Sequence, residues 1–171
     1  FTSAESVYRK ITKLMPGSDI AWFKLGNVLD DLERYDAAIS CYDRSIELNR
    51  KFFEAHANKG IILGKLGKHE DAITNFDRAL KINEFSPAVL QNKGLAFTRL
   101  EMYKEAIIYF DRAIEISNNK KSEALLEALL SKGYALSKIG KYDEAIECNN
   151  KTLNIFKDNW RLWINQGIAF G

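Results

Sequence analysis

The stretch "LQNKGLAF", residues 90–97, sets a glycine inside a run that otherwise favours helix. Gly in a helix interior costs roughly 0.5–1 kcal/mol relative to Ala. Asn92, two residues earlier, is also a poor helix former, because its side chain competes for backbone hydrogen bonds. The pattern is not local. Counterparts stand at "WFKLGNVL" (22–29), "HANKGIIL" (56–63), "LLSKGYAL" (129–136) and "WINQGIAF" (163–170). Their glycines, Gly26, Gly60, Gly94, Gly133 and Gly167, are separated by 34, 34, 39 and 34 residues.

Other positions keep step with the glycine. Three residues on come Leu29, Leu63, Phe97, Leu136 and Phe170, and nine on come Tyr35, His69, Tyr103 and Tyr142. Twelve on, an alanine followed by isoleucine recurs at Ala38, Ala72, Ala106 and Ala145. Sixteen on stand Tyr42, Phe76 and Phe110, with Asn149 as the exception. This resembles the Trp–Leu–Gly–Tyr…Ala…Phe signature of the tetratricopeptide repeat, whose period is 34 residues. Trp22, Leu25 and Gly26 match its first part directly, and the resemblance covers nearly the whole chain. It implies an all-α, right-handed superhelical solenoid of antiparallel helix pairs. Three departures stand out. The family's proline is replaced by Arg50, Glu84, Asn118 and Lys157; lysine precedes the glycine at Lys59, Lys93 and Lys132; and Asn149 takes an aromatic's place.

The units divide the chain at 1–18, 19–52, 53–86, 87–120, 121–159 and 160–171, as one repeat domain. The first and last pieces are partial, a second helix alone and a first helix alone. Within each full unit the apolar residues recur at i, i+3, i+4 and i+7, which marks one buried stripe per helix. First helices are expected near 20–32, 54–66 and 88–100, and second helices near 36–48, 70–82 and 104–116. Gly67 and Gly140 fall just past a first helix, where a left-handed cap is favoured. Short connections make the two helices antiparallel neighbours. The glycine then reads as a packing residue, expected to face the alanine of its partner helix so that the two approach closely. The fourth unit carries about five extra residues around "NNKKSEALL" (118–126), expected to lengthen its first helix by about 1.4 turns.

Catalytic chemistry finds no foothold. The two histidines, His56 and His69, occupy the columns of Trp22 and of Tyr35, and read as packing substitutes. Carboxylates such as Glu33, Asp36, Glu70 and Asp71 recur at turns and helix starts, where they suit the helix dipole. No nucleophile elbow, zinc spacing or nucleotide loop occurs, so neither an enzyme activity nor a metal or other cofactor is expected. Net charge is +2, a near balance that gives no general reason to expect nucleic acid or an anionic membrane. Apolar runs such as "LLEALL" (125–130) are too short to span a bilayer. Cys41 and Cys148 read as free thiols in a reducing cytoplasm. The chain opens at Phe1 and ends in "WINQGIAFG", and reads as part of a longer protein. Trp163 and Phe170 would lie on a face meant for a missing helix, so end-to-end self-association is expected.

The functional candidates are the columns that recur without serving the core. At 100° per residue, positions two before, one after and five after the glycine point away from the packed stripe. In the tetratricopeptide family that face lines a concave groove binding partner segments. The first column reads Lys24, Asn58, Asn92, Ser131 and Asn165. Asn offers a donor and an acceptor together, so it can pair with a peptide backbone whatever the side chains. The last column reads Asp31, Lys65, Arg99 and Lys138, and its last three members form a basic stripe suited to an acidic peptide or a terminal carboxylate. Apolar candidates between them are Phe23, Ile61, Leu95, Leu130, Tyr134 and Ile168. Asn27 and Asn58 also match parts of the family's chaperone-binding carboxylate clamp, but Phe23, Ala88 and Asn92 stand where its basic residues belong. The expected function is a non-catalytic scaffold that captures an extended, acidic protein or peptide segment. The alternatives are a structural spacer or self-assembly element, and a regulatory module of a larger enzyme.

Overall fold

Ser18, Ser86 and Ser122 each start a helix by accepting a hydrogen bond from the backbone N–H three residues on. Such a cap satisfies a donor the helix itself leaves open. The computed structural model describes residues 3–117 and 121–157. These residues form α1(Ser3–Leu14), α2(Asp19–Asp31), α3(Tyr35–Leu48), α4(Phe53–Lys65), α5(His69–Ile82), α6(Pro87–Arg99), α7(Tyr103–Ser117), α8(Glu123–Lys138) and α9(Tyr142–Ile155). The helices expected within the described residues are present, their ends within about one residue, as helix ends commonly differ; the one expected in 160–171 lies outside the described residues. The fold is the all-α, tetratricopeptide-like helix-pair class. Two compact units divide the chain, Phe1–Phe85 and Ser86–Gly171. In the first, α2 packs on α3, α4 on α5, and α1 and α3 on the first helix that follows each; in the second, α6 packs on α7, α7 on α8, and α8 on α9.

The turn inside each pair is the same. Gly67 and Gly140 adopt φ of 75° and 77°, as the cap reading expects. Glu33 and Glu101 stand at the same place in their own units and adopt φ of 56° and 59° without being glycine.

The recurring glycines do serve packing, but the atoms nearest them are not the alanine's. A Cβ at Gly26 would sit 2.6 Å from Cε1 of Tyr42, and one at Gly60 or Gly94 would sit 2.6 Å from the ring of Phe76 or Phe110. The close approach is therefore helix backbone against an aromatic face, sixteen residues on. Those rings are buried in the pair, and Ala38, Ala72 and Ala106 are buried as well. The reason is reach: a ring extends far enough to lie flat on the partner helix, whereas a methyl does not fill that space. In the fourth unit Gly133 faces the amide oxygen of Asn149 instead.

The extra residues of that unit go mainly into its first helix. α8 starts ten residues before its glycine, where α2, α4 and α6 start seven before. The core of the first unit gathers Phe23, Leu25, Leu29, Cys41, Tyr42 and Ile62. That of the second includes Leu125, Leu129, Leu136 and Cys148. Asn165, Ile168, Trp163 and Phe170 lie outside the described residues.

Candidate functional site

In the first unit the asparagine column meets a neighbour that its own periodicity does not reveal. Asn58 Nδ2 on α4 donates to Asn27 Oδ1 on α2 at 3.0 Å. Tyr42 Oη on α3 donates to the same oxygen at 2.8 Å. Both lone pairs of that carbonyl are thereby used. The Asn27 amide N–H groups and the Asn58 carbonyl have no partner among the described residues. Both asparagines are half-buried, so their orientation is fixed while one edge stays accessible. Tyr42 is fully buried, and burial pushes its hydroxyl pKa up, so it remains a donor at any working pH.

The rest of that face is mixed. Ile61 is half-buried and Lys24 exposed, with its Nζ 5.8 Å from the centre of the Phe23 ring. Phe23 itself is a correction to the sequence reading. It is only 8% exposed, with its ring 4.9 Å from Phe52 and 5.8 Å from Tyr42. Phe52, at the N-cap of α4, packs on it, so it belongs to the core rather than to a contact surface. Lys65 is also spoken for. Its Nζ donates to Asp30 Oδ1 at 2.8 Å and lies 5.4 Å from the Tyr35 ring centre. The Asp30 hydrogen bond holds the Lys65 ammonium pKa above its ordinary value.

In the second unit Asn92 is half-buried on α6, and its Nδ2 donates back to Ala88 O at 3.0 Å. Its amide oxygen and second N–H are left for a partner. Leu95, Leu130 and Ser131 are half-buried. Tyr134 is 50% exposed and meets Tyr103 edge-on, with centroids 6.4 Å apart. Lys138 lies 5.3 Å from the Tyr134 ring centre. Arg99 and Lys138 are exposed, and neither forms an ion pair among the described residues.

The lysines that replace the family's leucine have a use that the sequence columns already contained. Lys59 on α4 bridges to Asp43 on α3, and Lys132 on α8 to Asp111 on α7 at 2.6 Å. Lys93 is 4% exposed, donates to Tyr109 Oη at 2.8 Å and sits 4.1 Å from that ring's centre. Aspartates stand seventeen residues after Gly26 and Gly94, so the pairing of one unit's lysine with the preceding unit's acid is periodic too.

The packing histidine is confirmed in detail. Trp22 Nε1 donates to Pro16 O at 3.0 Å, and His56 Nε2 lies 3.2 Å from Arg50 O, the same bond one period on. Burial lowers the His56 pKa, and its Nδ1 has no partner among the described residues. The buried thiols are likewise held protonated: burial pushes Cys41 up to about 11 and also raises Cys148.

No group of three or more His, Cys, Asp or Glu that could hold a metal occurs among the described residues. No helix among them is long and apolar enough to cross a membrane. What the geometry offers is a series of paired helices, three of which lock a ring under a glycine, with side-chain amides at Asn27, Asn58 and Asn92 on the first helices. That defines a helical repeat scaffold.

Tetratricopeptide repeat models match residues 20–52, 53–86 and 85–158. The chain belongs to the tetratricopeptide repeat family, and is a protein–protein interaction scaffold of that kind. No curated protein matches the sequence. Among solved structures, a crystal structure of MamA is similar with a TM-score of 0.84 at 23% identity, covering 90% of this chain and 86% of that one. MamA 41-end from Desulfovibrio magneticus RS-1 gives 0.76 at 15% identity, covering 92% and 98%. The APC/C hetero-tetramer Cut9–Hcn1 gives 0.73 at 19% identity, with 92% of this chain covering 30% of that one. What these share with this chain is the fold.

Proposed function

We propose that the scaffold captures an extended protein segment on its first-helix faces, using asparagine amides to hold the segment's backbone. The carrying observation is the Asn27–Asn58–Tyr42 arrangement, which fixes two amides and leaves a donor edge and an acceptor oxygen available. A peptide backbone presents the complementary pair on alternate residues, so recognition would not depend on its side chains. Asn92 supplies the same pair in the second unit. Ile61, Leu95 and Leu130 add apolar contact area, and Lys24 and Ser131 complete the column. Asn165 and Ile168 continue the columns in sequence. The reading takes in a reducing compartment, the cytoplasm, where buried Cys41 and Cys148 would stay reduced.

A peptide-array screen supplies binding sequences, and fluorescence anisotropy then measures the best of them. A hydrogen bond nets about 1 kcal/mol, so Asn58→Ala should weaken such a peptide by about fivefold. Helicity should not change. Unaltered affinity in both Asn58→Ala and Asn92→Ala would remove the amide role.

A further inference from the structure

The two units turn different charges outward at the same place. In the first unit, the residue four after Gly26 is Asp30, and it captures the lysine five after Gly60, Lys65, at 2.8 Å. In the second unit, the residue four after Gly94 is Thr98 and the lysine five after Gly133 is Lys138. Thr98 cannot form that ion pair, and its hydroxyl donates instead to Gly94 O at 3.0 Å. The next residue also changes sign, from Asp31 to Arg99. The first unit thus neutralises its own lysine, while the second leaves Arg99 and Lys138 exposed without an ion pair among the described residues, Lys138 lying 5.3 Å from the centre of the half-exposed Tyr134 ring.

We infer that the Arg99–Tyr134–Lys138 corner of the second unit is an anion-selecting subsite, and that its ligand is an acidic protein segment with an apolar or aromatic residue beside the acid. The inference rests on the proposed backbone capture and assigns its charge preference to one unit. Lys138 and Arg99 would each meet a carboxylate, with Tyr134 and Tyr103 offering ring faces to the neighbouring side chain. The corresponding corner of the first unit makes no such demand, because Asp30 already occupies Lys65 and Asp31 repels carboxylates.

The test exploits the difference between the units. Three labelled probes are titrated by anisotropy at low and moderate salt: an extended peptide of alternating Leu and Glu, its Leu and Lys counterpart, and an oligouridylate. The acidic peptide is expected to bind best and to weaken with salt. Thr98→Asp recreates the first unit's ion pair and should weaken that peptide by about fivefold, a change equal to about 1 kcal/mol. Asp30→Thr should strengthen it. Arg99→Gln with Lys138→Gln provides a second route, expected to cost about tenfold. Far-UV circular dichroism checks that each variant is folded. Equal binding of the acidic and basic peptides overturns the inference, as does an unmoved affinity in Thr98→Asp and the double Gln variant together. Tighter binding of the oligouridylate overturns it in favour of nucleic acid. Because Asn92→Ala lowers affinity only if the amides act, a lost charge preference with a retained Asn92 effect refutes this subsite and leaves the backbone capture standing.

Discussion

Replacing Gly94 by Ala sets two well-understood effects against each other. Ala is the better helix former, by about 1 kcal/mol in a helix interior. Its Cβ, however, would lie 2.6 Å from Cε1, 2.8 Å from Cδ1 and 3.0 Å from Cζ of Phe110. The ring is fully buried, so it has no solvent side to move into. Overpacking a filled core costs about 1–3 kcal/mol, so taking the middle of that range leaves a net loss of about 1 kcal/mol. For a chain of this length that lowers Tm by roughly 2–4 °C. Gly64→Ala supplies the control. It lies in α4 near its C-terminal end with nothing within 4 Å of the added Cβ, and should gain about 0.5 kcal/mol. Gly133→Ala should fall between them, because the atom it meets is the end of the half-buried Asn149 side chain, which can rotate aside. Urea unfolding of the three variants followed by circular dichroism reads the differences. If Gly94→Ala is as stabilising as Gly64→Ala, the ring-on-glycine account of the repeat is wrong.

Glu33→Gly and Glu101→Gly relieve a left-handed backbone at φ 56° and 59°, and each should stabilise by about 0.5–1 kcal/mol in thermal melts. The pH dependence of stability should carry His56. Its folded pKa is lowered by burial, so below the unfolded value of about 6.5 the unfolded chain takes up the proton first and stability falls as pH falls. His56→Trp restores the side chain that donates from Trp22 and should flatten that slope, as measured by melts between pH 5 and 8.

Periodicity carried the fold because the main structural needs recur from unit to unit, 34 residues apart except for the 39 between Gly94 and Gly133. It located helices, the left-handed caps at Gly67 and Gly140, and the glycine as a packing residue. It misjudged which atom the glycine faces, because a column shows that two positions repeat together but not how the two helices are rotated. Phe23 was misread for a related reason. A helical wheel treats one helix alone, and Phe52, which packs on Phe23, stands at the N-cap of another helix, α4. The link between Asn27 and Asn58 spans adjacent first helices, whose register no single-helix pattern contains. The pairing of Lys59 with Asp43 was within reach, since both columns were visible and only their adjacency was missing.

The central claim is that the first-helix amides meet the partner's backbone. Two-dimensional NMR of the labelled chain, titrated with a peptide from the array, tests it most directly. The account predicts that the side-chain amide resonances of Asn27, Asn58 and Asn92 shift with saturation. Shifts confined to outward residues of the second helices, such as Ile108 and Ile146, with those amides unmoved, would contradict it.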